Sequence, residues 1–134
     1  MSIPAWPRAV LAAGLLYLVI GLGTADLARH SGGAWRLVAW AASAVVFLAH
    51  IAYERTRLRS LPAAAALHAA LAVALGAFGL ALAATLRAAA TGNYRGAFAL
   101  ALVAWPVMTG VAAFAAAWVT VTVVGLLGRT KREP

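Results

Sequence analysis

The sequence predicts an all-α integral membrane protein, a four-transmembrane-helix antiparallel bundle with short loops, and three observations carry that expectation. Hydrophobic residues make up 65% of the 134-residue chain, charged residues only 10%, and the mean hydropathy is +0.92, far from the balance of a soluble domain. The apolar residues gather in four runs, each long enough for the ~20 helical residues that cross a hydrocarbon core of ~30 Å. The runs are rich in Ala and Leu and lack the alternating pattern of porin-type strands; a backbone in lipid must satisfy its own hydrogen bonds, so the spans are helices. Residues 1–134 read as one transmembrane domain with helices over about 9–28, 35–53, 62–86 and 97–127.

The segment Ser2 to Arg8, with Pro4, Trp6 and Pro7, reads as an interfacial lead-in that sets the Trp6 ring at headgroup depth. Arg8 and the apolar stretch from Ala9 to Leu22 also have the outline of a signal peptide, but the expectation is a retained first helix. Gly14 and Gly21 lie seven residues apart on one face, so a neighbouring helix can approach closely there. Asp26, Arg29 and His30 follow at i, i+3 and i+4, a spacing that brings a carboxylate to either cation in a solvated interfacial set.

Ser31-Gly32-Gly33-Ala34 breaks the helix, and Trp35 and Arg36 restart it as interface anchors. Between Arg36 and Glu54 lie 17 uncharged residues, ~25 Å at 1.5 Å per residue, so the second helix barely spans. Pro62 opens the third helix, where its missing N–H does no harm. Ala65, Ala69, Ala72, Gly76, Gly79 and Ala83 then repeat with steps of 4, 3, 4, 3 and 4, a heptad seam of small residues that should make this the most tightly embraced helix. Leu80 and Leu82 lie off that seam.

The connection before the last helix, Thr91-Gly92-Asn93-Tyr94-Arg95, repeats the hydroxyl, glycine, aromatic, arginine order of Ser31 to Arg36, and Tyr94 and Arg95 join Trp35 and Arg36 as anchors. Duplication of a helical hairpin and convergence on the same interface chemistry explain the match equally well. The final run, 97–127, would be ~46 Å long as a helix, with a kink near Leu102 in the turn before Pro106. Trp105 fits an interface depth, whereas Trp118 falls inside the span and is expected against a neighbour or a ligand.

Orientation follows from the cations. Arg8, Arg55, Arg57, Arg59, Arg129, Lys131 and Arg132 make seven on the side of both termini, against Arg29, Arg36, Arg87 and Arg95, four, on the other. Both termini are therefore expected in the cytoplasm, with the protein in the cytoplasmic (inner) membrane. A net charge of +8 would point to nucleic acid in a soluble chain, but these arginines sit in short loops without interleaved aromatics. Arg55, Arg57, Arg59, Arg129, Lys131 and Arg132 are read as partners of anionic headgroups. The absence of cysteine removes disulfides and thiolate chemistry.

The chain's polar cluster at membrane depth flanks the turn from Glu54 to Pro62. Ser43, His50 and Glu54 recur at helical spacing before it, and His68 lies about as far beyond it as His50 lies before. Glu54 at i+4 from His50 can orient the imidazole, and ionisable residues within a membrane are functional candidates. Equal distances from the turn should bring His50, Glu54 and His68 to one depth. If His68 faces the second helix the cluster is a shared site; if it faces the first or fourth, a structural histidine. His50 and His68 are also the candidate axial ligands for a haem, or single ligands for a chlorophyll-type pigment. No metal-hydrolase ligand set, Ser/His/Asp triad or phosphate loop is present, so an enzyme is not expected. A small multidrug-type exporter has this size and helix number, but the first helix carries no acid from Ala9 to Ala25.

The leading expectation is a non-catalytic accessory subunit packed within a larger membrane complex, such as an electron-transfer or light-harvesting assembly, touching its lipid, quinone or pigment. The alternatives are a small homo-oligomeric transporter or channel using His50, Glu54 and Asp26, and a haem-binding electron carrier using His50 and His68.

Overall fold

The computed structural model describes residues 4–31 and 33–130, the side chains of Asp26, 28–31 and 127–130 excepted. Among the described residues the chain is four helices and no strand: α1 Ala5–Ser31, α2 Ala34–Thr56, α3 Pro62–Ala90 and α4 Gly96–Thr130. Ala5–Ala25, Ala34–Thr56, Pro62–Ala90 and Gly96–Leu126 are each long and apolar enough to cross a membrane.

Each helix extends past at least one of the bounds expected from hydropathy, because good helix formers such as Arg87 to Ala90 continue the backbone ladder beyond the first charged residue. Of the expected lead-in, Ala5 to Arg8 form the first turn of α1, and Ser2 and Ile3 lie outside the described residues. Pro7 is tolerated there because the first N–H groups of a helix have no intrahelical partner. The two matching connections also differ. Trp35 and Arg36 lie inside α2, whereas Tyr94 and Arg95 precede α4, so the shared motif does not occupy one structural position. α4 runs as one helix through Pro106.

α3 is the centre of the molecule, packed most extensively on α4, then on α1, while α2 rests chiefly on α1. The direct pairing of α1 with α3 departs from a simple up-and-down bundle, where these two stand diagonally. They run parallel: a Cβ added at Gly14 would meet Leu75 Cδ2 at 2.7 Å, and one at Gly21 would meet Leu80 Cδ1 at 2.6 Å. The approach is close because glycines face it from both sides. A Cβ at Gly76 would lie 2.5 Å from Tyr17 Cβ and 3.1 Å from the Gly14 carbonyl oxygen, and one at Gly79 would lie 3.0 Å from Leu18. Ala72 of the same seam is buried with Val10 and Ala13. Leu80 is thus drawn onto Gly21, while Leu82 is exposed.

A second small-residue face on α3 meets α4. Ala66, Ala70, Ala77 and Ala81 are buried, and α4 answers with Gly110, Ala113, Ala117 and Val121. The pair is antiparallel, since Gly110 looks onto Ala74 and Ala70 while Ala117 and Val121 join Ala66. In lipid such faces hold helices together by close van der Waals contact. At this end α2 enters the same cluster through Ile51, with Phe47 against it.

Candidate functional site

The sequence sets Glu54 in the last turn of α2, and the chain then doubles back to cover it. The turn is closed by backbone bonds from Arg57 N–H to the Tyr53 carbonyl (2.9 Å) and from Ser60 N–H to the Glu54 carbonyl (3.0 Å). Arg55 Nη1 donates to the Ser60 carbonyl at 2.7 Å. The reversal requires Arg59 at φ 51°, a left-handed conformation that costs a non-glycine residue about 1 kcal/mol or more. Its consequence is that the Ser60 hydroxyl donates to Glu54 Oε2 at 2.5 Å.

Glu54 is fully buried, and two imidazoles flank it. His68 Nδ1 of α3 lies 3.0 Å from Glu54 Oε2, and His50 Nε2 lies 4.0 Å from Oε1. The His68 contact has the distance of a hydrogen bond but not its geometry. His68 Nδ1, His50 Nε2 and Glu54 Oε1 therefore stand buried without a hydrogen-bond partner. An unpaired buried polar atom costs about 1–3 kcal/mol, and so many at one point mark this cluster as the functional candidate. The Trp6 ring of α1 stacks on His68, with ring centroids 4.5 Å apart and planes 3° from parallel. The cluster thereby ties α1, α2, the turn and α3 together at one end.

The two alternatives for His68 merge, since it sits between Glu54 of α2 and Trp6 of α1. Ser43 is not in the cluster: it lies two helical turns, ~10 Å, from His50, and Ser60 supplies the hydroxyl instead. Of the seam, Ala65, Ala69, Ala72 and Gly76 are buried, and Gly79 and Ala83 half-buried. Trp6, expected as an interface anchor, is half-exposed with one face on His68. Trp35 is half-buried, and Arg36, Arg95, Tyr94 and Trp105 are exposed, Tyr94 stacking on Phe98. Trp118 is exposed and stacks on Phe114 of its own helix, at 6.0 Å. Arg55, Arg57 and Arg59 are exposed; the side chains of Asp26 and Arg129, with Lys131 and Arg132, lie outside the described residues.

Haem does not fit His50 and His68. Bis-imidazole ligation needs two ring nitrogens facing each other across an iron, whereas here the Glu54 carboxylate lies between them and Trp6 covers a face of His68. A pigment held by one imidazole needs a nitrogen turned to open space, and His50 Nε2 is buried beside Glu54. Among the described residues no group of three or more His, Asp or Glu is placed to hold a metal ion.

Beside the cluster, α1 and α2 flank an open groove of about 570 Å³. Its walls include Ala9, Ala12, Val46 and Ala49, and Arg8, His50 and Tyr53 form its polar end. Comparison with family models, with curated proteins and with solved structures finds no match.

Proposed function

We propose that the chain is a non-catalytic accessory subunit of a larger assembly in the cytoplasmic membrane, with both termini in the cytoplasm, acting through helix packing and through contact with lipid or quinone. The supporting observation is an inversion of size. Alanine and glycine fill the interior, while Leu37, Trp40, Trp105, Val111 and Trp118 point outward. Small residues let the four helices approach one another, and the large side chains meet whatever lies beside the bundle.

The outer face of α2 is the focus of this reading. Leu37, Trp40 and Leu48 share it at helical spacing, and Trp40, at 77% exposure, is the most exposed large apolar side chain among the described residues. An indole N–H seeks an acceptor, which hydrocarbon tails lack and a neighbouring protein or a headgroup supplies. In this reading the Glu54 cluster is a pin that fixes α2, the least embraced helix, to α3 and α1.

A transporter or channel is the second reading, favoured by the unpaired His50 Nε2 and Glu54 Oε1 facing each other at 4.0 Å. Purification at native expression in mild detergent separates the two. Unlike membrane subunits at a fixed ratio support the accessory role, and a homo-oligomer alone would overturn it in favour of transport.

A further inference from the structure

We infer that the groove between α1 and α2 binds one anionic phospholipid, with one of its acyl chains along the alanine walls and its phosphate held by Arg8. The inference depends on the reading above only in placing the helices in a membrane; it does not require a partner assembly. At about 570 Å³ the groove has the size of a small-molecule site. Alanines at 9, 12 and 49 present only methyl groups, so a chain can lie between the helices along one side.

The polar end selects the headgroup. Arg8 stands in the first turns of α1, within the apolar span Ala5–Ala25, at the end of the bundle where Tyr53 closes the groove. Its guanidinium offers a planar fork that matches a phosphate. Among the described residues no carboxylate pairs with it, because Glu54 is fully buried and engaged by Ser60 beside His68. Exposed Arg55, Arg57 and Arg59 add three cations at the same end. Basic pockets between membrane helices hold acidic headgroups for this reason. The Tyr53 hydroxyl can donate to a phosphate or ester oxygen, and the 93%-buried His50, with Nε2 unpaired, borders that end.

The test is native mass spectrometry of the full chain after incubation with phosphatidylglycerol or phosphatidylcholine of identical acyl chains. The expected result is one retained phosphatidylglycerol per chain. Arg8→Ala should lower that retention about fivefold, the contribution of one cation at an anionic surface. Ala12→Phe should remove it by filling the groove, and Arg87→Ala, at the opposite end of the bundle, should leave it unchanged. Arg8 is exposed, so Arg8→Ala keeps the fold and decides the matter even where Ala12→Phe does not fold. Equal retention of both lipids, phosphatidylglycerol retention unchanged in Arg8→Ala, or retention of an added quinone in preference to phosphatidylglycerol would overturn the site. Because the isolated chain is measured, failure here leaves the co-purification test of the accessory role standing.

Discussion

Glu54 and His68, on different helices and separated by the basic turn, meet with Oε2 and Nδ1 3.0 Å apart. The carboxylate is fully buried, so its neighbours decide whether α2 stays against α3. Glu54→Ala leaves the Ser60 hydroxyl without its acceptor and takes the carboxyl group from between the two buried imidazoles, and a buried polar group stripped of its partner costs about 1–3 kcal/mol. Melting of the purified protein in detergent should therefore fall markedly in Glu54→Ala and in His68→Ala. The double variant should lose less than the sum of the two, by at least ~0.5 kcal/mol, as residues in one network do. Strict additivity would show that the two do not act together.

The turn offers a change that should stabilise. Arg59 holds φ at 51°, which glycine adopts without a Cβ penalty, so Arg59→Gly should raise stability by up to about 1 kcal/mol. Arg59→Val should lower it, because a β-branched residue is strained there. Ser60→Ala removes the bond to Glu54 Oε2 and should lower stability by about 1 kcal/mol. Melting temperatures of the three variants check the order. A stabilised Arg59→Val would refute this account of the reversal.

Gly76 and Leu82 give a contrast on one helix. A side chain at Gly76 runs into Tyr17 and the Gly14 backbone, so Gly76→Leu should cost about 1–3 kcal/mol or prevent folding. Leu82 is exposed, and Leu82→Ala should change little. Equal losses would mean that the α1–α3 contact is not close-packed. The contrast is read from thermal unfolding in one detergent.

Orientation is checked with reporters. Seven cations on the side of the termini against four on the other predict that a C-terminal alkaline phosphatase fusion is inactive and a green fluorescent protein fusion is bright. The reverse pattern would place the termini, the turn at Arg55 to Arg59, and the polar end of the groove outside the cytoplasm.

Much of this arrangement is legible in the sequence, for identifiable reasons. His50, Glu54 and His68 meet because an antiparallel connection brings residues equidistant from a turn to one level, and that needs only counting. The small-residue seam from Ala65 to Gly79 is legible because small residues recur there at heptad spacing between leucines, with Gly76 and Gly79 among them. The second face, Ala66, Ala70, Ala77 and Ala81, is not: alanine lies on more than one side of α3, and a period in one residue type cannot say how many faces are used. Its trace was on α4, where Gly110, Ala113, Ala117 and Val121 recur with steps of 3, 4 and 4. The place of Ser60 is not legible, because it depends on the left-handed backbone at Arg59, which no residue preference announces. Trp6 reaches His68 only because α1 packs parallel to α3, a pairing that loop lengths do not reveal. Ser43, seven positions from His50, shares its helical face without sharing its depth.

The accessory role is tested most directly at Trp40, the large side chain most exposed on α2. A photoreactive benzoylphenylalanine placed there is irradiated in native membranes, and the products are separated by mass. The account predicts one discrete adduct between the 13.7 kDa chain and an unlike membrane protein, absent when the probe replaces Tyr17 on the covered α1–α3 contact. Adducts only with lipid, or only at twice the mass of the chain, would contradict it.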